Sequence, residues 1–199
     1  MKRRLFLHAL FLLFLFIIPY TKSFAIENKI SFSAGVLTGV PIYNSKTIIE
    51  ADNSILRPNK IVFGSDFYIN LIIVKEATFF FGSDFFSDLL WDSKKHSNHF
   101  HFSFPLGIKI YPNIGGFNVG ISYVFGFRTD SIKTSIGEKN VEITSRSPWG
   151  NGFRFSAEYD FSHRSKSKYY PSLGIAWNRM PRGDNSFDNL IIFYLNSNF

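Results

Sequence analysis

From residue 30 to the C-terminus, apolar residues recur at every second position, the period of a β-strand with one apolar face. Ile30, Phe32, Ala34, Val36 and Val40 alternate with Ser31, Ser33, Gly35 and Gly39. A second run sets Phe63, Phe67, Ile69, Leu71 and Ile73 against Gly64, Asp66, Tyr68 and Asn70. The third, near 77–91, puts Phe79, Phe81 and Phe85 on one face, but Phe80 and Phe86 break its alternation and leave its register open. The fourth is the most regular. Phe100, Phe102, Phe104, Leu106, Ile108 and Ile110 oppose His99, His101, Ser103, Gly107 and Lys109. Four further runs follow, with apolar rows Phe117–Phe127, Phe153–Phe161, Leu173–Trp177 and Ile191–Phe199.

Eight such segments, most long enough to cross a bilayer when tilted, predict an all-β fold. The expected architecture is an eight-stranded antiparallel up-and-down transmembrane barrel. The connections support it. Residues 41–60, 92–98, 129–148 and 180–186 read as longer loops, and Lys75-Glu76, Pro112-Asn113 and His163 to Lys168 as shorter turns. Strict alternation of long and short is the habit of barrels with free outer loops and tight periplasmic turns. Trp91, Trp149 and Trp177 read as strand ends beside the longer loops. Tyr111, Tyr159, Tyr169 and Tyr170 fall near the shorter turns. Two aromatic girdles at the headgroup levels are expected from them.

Composition changes the picture mainly at the N-terminus. Lys2, Arg3 and Arg4 precede an apolar run, Leu5 to Ile18, and Ser23-Phe24-Ala25 has the small-x-small form of a cleavage site. This predicts a signal peptide over 1–25 and a mature barrel domain over 26–199. The apolar run is shorter than a spanning helix requires. The whole chain carries a formal charge of +7. Without Lys2, Arg3, Arg4 and Lys22, 18 basic residues face 15 acidic ones with no basic stripe, which argues against nucleic acid as a partner. There is no Cys, so neither disulfides nor an acylated N-terminal Cys enter the design.

At this point the chain resembles the small outer-membrane barrels of the OmpA, OmpX and OmpW type. The resemblance is one of pattern and spans the whole mature chain. Its most specific element is Ile191-x-Phe193-x-Leu195-x-Ser197-x-Phe199, similar to the C-terminal signal read by the barrel-insertion machinery. Ser197 departs from the usual aromatic or apolar residue two before the end. The resemblance implies an outer-membrane location, outer-membrane lipid and the barrel-assembly machinery as partners, and no cofactor.

The inward parity carries charges of both signs: Asp66, Asp84, Asp88, Glu158 and Asp160 against Lys109, Arg128 and Arg154. Buried charges must pair. Arg154 is therefore expected to meet an Asp of the second or third strand, and Lys109 to meet Glu158. A salt-bridged plug is the expected outcome. A narrow OmpW-like route is the alternative, and it would need an apolar tunnel along Leu37, Tyr68, Ile72, Phe80 and Val124. His101-Phe-Ser103 resembles the His-x-Ser of lipid A deacylase barrels, but Phe104 stands where those have Asn, and the pair lies on the inward parity. No catalytic set and no metal site is assigned; His96, His99 and His101 read as a polar strand end. A lipocalin-like carrier would need the apolar rows inside. The working parts are expected in the loops 41–60 and 129–148, through which a structural or surface-interaction barrel would meet a surface ligand or host molecule.

Overall fold

The computed structural model describes residues 30–112, 114–136, 139–161, 169–182 and 186–199. The expected signal peptide and its cleavage site, and the turn 163–168, lie outside the described residues. The strands are β1 (Ile30–Tyr43), β2 (Asn59–Val74), β3 (Ala77–Trp91), β4 (His96–Ile110), β5 (Phe117–Ile136), β6 (Lys139–Arg146), β7 (Gly150–Asp160), β8 (Tyr170–Pro181) and β9 (Phe187–Asn198). One helix, α1 (Lys46–Asn53), follows β1. All pairings are antiparallel. Neighbours run β4-β3-β2-β1-β9-β8-β7-β5, and β4 pairing with β5 closes an eight-stranded barrel; among the described residues β6 pairs with β5 alone.

The closure can be followed through inward-facing register partners. Gly150 pairs with Gly126, then Ser103, Asp84, Asp66, Gly35, Asn196 and Ser172 follow, and the path returns to β7 at Asp160. Asp160 is ten residues beyond Gly150 on the same strand, so the stagger is ten. At about 3.3 Å per residue and about 4.8 Å between strands, that stagger tilts the strands by about 40° and gives a barrel about 16 Å wide, an interior that side chains can fill. The chain ends close the circle: Phe32 and Phe199 exchange backbone hydrogen bonds of 2.8 and 2.9 Å.

The outer surface is apolar and the interior polar. Val36, Phe63, Ile121, Phe155, Ile175 and Phe193 are exposed, while Asp66, Asp84, Lys109, Arg154 and Glu158 are buried. This is the reverse of a soluble carrier with an apolar interior. Phe80 and Phe86 do not mark a bulge. The β3–β4 register is the same on both sides of Gly82-Ser83, and both rings point inward, 3% and 1% exposed.

Four expectations are corrected. The segments 41–60 and 129–148, expected as polar loops with few anchors, carry regular structure. The first contains α1, held by Ile48 and Ile55, which are buried. The second is a hairpin, because β5 runs on past Arg128 and pairs with β6 from Thr129↔Arg146 to Ile136↔Lys139. Nor is 92–98 a long loop: β4 starts at His96, and Asp92 Oδ1 accepts the amides of Lys94 and Lys95, both at 2.7 Å, closing a tight turn. These two amides also hold the Asp92 carboxyl below its usual range. Trp177 lies within β8 beside Phe155 and Ile191, not at its end, because Met180 and Pro181 still pair with β9. Tyr111 and Tyr170 turn inward, where they line a cavity of about 150 Å³ at the lower mouth with Lys109 and Asp160. Parity explains both: each continues the inward row of its strand.

Candidate functional site: the filled shaft and its capped end

The lumen is built in layers, each supplied by inward residues of several strands. At the lower end Lys109 Nζ donates to Glu158 Oε2 and Oε1 at 2.9 and 3.1 Å, and Asn118 Nδ2 donates to Glu158 Oε1 at 3.3 Å. Above it Arg154 Nη1 reaches Asp84 Oδ2 at 2.6 Å and Tyr68 Oη at 2.7 Å, while Tyr68 Oη donates to Asp84. The guanidinium also lies 5.5 Å from the Tyr194 ring centroid, a favourable cation–π position. Gly174 makes room for that ring: a Cβ there would collide with Tyr194. Asp66, the register partner of Asp84, is buried beside it.

An apolar layer comes next. Leu37, Phe86, Leu190 and Ile192 form one cluster, at 4, 1, 2 and 1% exposure, and Val124 beside this level is fully buried. Close packing of this kind excludes water. Of the residues named for an apolar tunnel, Leu37, Tyr68, Phe80 and Val124 are packed side chains, not the walls of an opening.

The upper layer is the richest in charge. Asp188 is shared by Arg128 Nη1 and by Arg182 Nε and Nη2, the last two at 2.8 Å. Arg128 Nε donates to Asp130 at 2.7 Å, and Asp130 also meets His99 Nδ1 at 2.7 Å. Tyr43 Oη lies 3.0 Å from His101 Nε2 and donates to Asp88 Oδ2 at 3.2 Å, and Lys60 Nζ stands 3.2 Å from Asp88 Oδ1. α1 closes the mouth above. Asp52 Oδ1 is 3.3 Å from His99 Nε2, and Lys95 Nζ donates to the Ser54 carbonyl at 3.1 Å.

Of the charged residues expected inside, Asp84, Asp88, Lys109, Arg128, Arg154 and Glu158 each meet a partner of opposite charge. Asp66 and Asp160 lie in the same shaft. Tyr43, Lys60, Asp130, Arg182 and Asp188 escaped the sequence reading. Asp130 was legible in principle, since it extends the inward parity of its strand by one step beyond Arg128. His101 and Ser103 both face the buried lumen, away from the lipid-side surface where a deacylase would work. His96 points to the other face, 3.2 Å from Ser131 Oγ, apart from His99 and His101.

On the outer surface, Ile191, Phe193, Leu195 and Phe199 form the expected apolar row of β9. Trp149 packs on Phe127 and Phe104 with centroids 5.2 and 6.0 Å apart, near the upper rim, and Trp91 ends β3. Tyr159 packs on Phe161, and Tyr169 on Phe199, near the lower rim.

No family model matches the chain, and no curated protein matches it significantly. Solved structures do. Ail, the attachment invasion locus protein of Yersinia pestis, is 11% identical; the match covers 87% of this chain and all of Ail, with a TM-score of 0.51. Neisserial surface protein A matches at 8% identity over 85% of this chain and 96% of its own, with a TM-score of 0.49. The outer membrane protein OprG from Pseudomonas aeruginosa matches at 8% identity over 85% of this chain and 95% of its own, with a TM-score of 0.44.

Proposed function

We propose that this chain, which has the fold of the small eight-stranded outer-membrane barrels, is an exported outer-membrane protein. On this reading its filled shaft is a rigid stand for a surface-interaction platform made of α1 and the β5–β6 hairpin. The signal peptide over 1–25 brings it to the envelope, and the C-terminal row ending in Phe199 presents it to the barrel-assembly machinery. Its outer-membrane residence rests on the exposed Phe, Ile and Val rows around the barrel.

The observation that carries the platform reading is the free side of β6. Among the described residues this strand pairs only with β5. Its backbone therefore offers an unpaired edge to a strand of another molecule, with Val141, Ile143 and Thr144 as good strand formers. The layered lumen argues against transport, and the burial of His101 and Ser103 argues against lipid hydrolysis. A variant lacking residues 132–143 tests the reading. The account expects it to reach the outer membrane and keep its heat-dependent gel shift, while expressing cells lose adhesion to host cells or to each other. Unchanged adhesion would move the function away from the hairpin.

A further inference from the structure

Two concavities lie on the outer face around the β3–β4 pair, one above the other, the upper reaching Lys133 of β5 and the lower Ser65 and Phe67 of β2. The upper is a cleft of about 450 Å³ at the rim, whose lining includes Trp91, Asp92, Lys94, Lys95, His96 and Lys133. Lys95 is engaged with the Ser54 carbonyl, and Asp92 Oδ1 is occupied by two amides. Lys94 is exposed and Lys133 half-buried. The acid nearest on the adjoining strand is Glu142, opposite Lys133 and 3.6 Å from His96. Arg146, stacked 3.6 Å over Phe127, adds a further cation on this outer rim. The cleft is thus basic, with a Trp at its side.

The lower concavity is a groove of about 300 Å³ lined by Ser65, Phe67, Ser83, Phe85, Phe102 and Phe104, and by Asp66 and Asp84, which are themselves buried. It lies where the β3–β4 ladder is interrupted. Pairing stops between Phe81↔Leu106 and Asp84↔Ser103, beside Pro105, which has no N–H to give. Ser65 and Ser83 sit as small polar residues in the floor between phenylalanine ridges. Phe85, stacked near Phe100 and Phe102 at 6.3 and 5.1 Å, forms a continuous apolar strip between groove and cleft.

The spacing fits one molecule. Ser83 lies eight residues below Trp91 on β3, about 20 Å along the barrel axis at the strand tilt found here, and one leaflet of hydrocarbon is about 15 Å deep. We infer that the outer face of β3–β4 is a docking strip for one phosphorylated, acylated lipid of the surrounding leaflet, with its phosphate in the Lys94/Lys133 cleft and an acyl chain in the Ser65/Ser83 groove. This rests on the membrane reading above. Lysines at a headgroup level attract anionic lipid, and a groove on a lipid-facing wall takes a chain in preference to remaining empty.

The test uses the full-length protein in neutral detergent, titrated with bisphosphorylated lipid A or with phosphatidylcholine and read by native mass spectrometry. One lipid A should bind at concentrations where phosphatidylcholine does not. Lys94→Gln with Lys133→Gln should weaken lipid A about tenfold or more and leave phosphatidylcholine unchanged. Ser83→Phe, which fills the groove, should lower lipid A occupancy with both lysines intact. Equal binding of the two lipids by wild type, or lipid A binding indifferent to the lysine pair, overturns the inference. Should Ser83→Phe lose its heat-dependent gel shift, Ser65→Leu takes its place. Fractionation of cells separates these outcomes from failure of the membrane reading, which would leave the protein outside the outer membrane.

Discussion

Arg154 of β7 and Asp84 of β3 meet across the lumen at 2.6 Å, although 70 residues separate them in sequence. The pair ties opposite walls of the barrel together and is buried on both sides. Removing one partner strands the other charge. Arg154→Met should cost about 3–5 kcal/mol in urea-induced unfolding from vesicles. Arg154→Met with Asp84→Leu should recover most of that loss, because no unpaired charge is left behind. A single variant as stable as wild type would show that the pair does not hold the walls.

The two faces of a strand should respond differently to the same charge. Leu106 lies in the outward row of β4, and Ser122 faces inward at 3% exposure against Gly107. Leu106→Arg should cost about 2–4 kcal/mol for an arginine in hydrocarbon. Ser122→Arg should instead fail through overpacking and slow refolding. If Leu106→Arg behaves like an arginine in the exposed turn at Ser93, the outer face does not meet lipid.

α1 covers the mouth of the shaft. Ile48, 2% exposed, docks it, and Asp52 meets His99 beneath. Ile48→Glu should release the helix and speed trypsin cleavage at Lys46 or Arg57. Planar-bilayer conductance should stay absent, because the Leu37–Phe86–Leu190–Ile192 layer and the Arg154–Asp84 layer remain below. Conductance steps in Ile48→Glu would make α1 the lid of a channel.

Gly174 and Tyr194 test the packing of the shaft. Gly174→Val should displace the Tyr194 ring and cost about 1–3 kcal/mol. Gly174→Val with Tyr194→Ala should be less destabilised than the sum of the two changes. Simple additivity would show that the ring is not held against Gly174.

The barrel was legible because lipid enforces a rule. Most outward positions are apolar, and period two makes that visible along β1, β4, β5 and β7. The same rule places Phe80 and Phe86 inside, where packing alone decides and sequence offers no alternation to read. The inward charges were legible as a set, and pairing logic pointed Arg154 to an Asp of the second or third strand and Lys109 to Glu158. Asp188 and Arg182 were not, because they sit beyond the apolar row of their strands, where the rule lapses. For the same reason β5 was ended too early at Arg128. Thr129 to Ile136 alternates no apolar row, since both faces of the hairpin leave the membrane. α1 is a short helix with no side-chain cap, anchored by single isoleucines in a polar stretch, and no periodic signal marks it.

The central claim is a closed barrel in the outer membrane with α1, the 92–95 turn and the β5–β6 hairpin outside the cell. The chain has no Cys of its own, so single cysteines report their position without background. Intact cells would carry Ser93→Cys or Lys75→Cys and be treated with a membrane-impermeant maleimide. The account predicts labelling of Ser93→Cys on intact cells, and of Lys75→Cys only after the outer membrane is opened. Labelling of Lys75→Cys alone on intact cells, or of neither site until the cells are lysed, would contradict it.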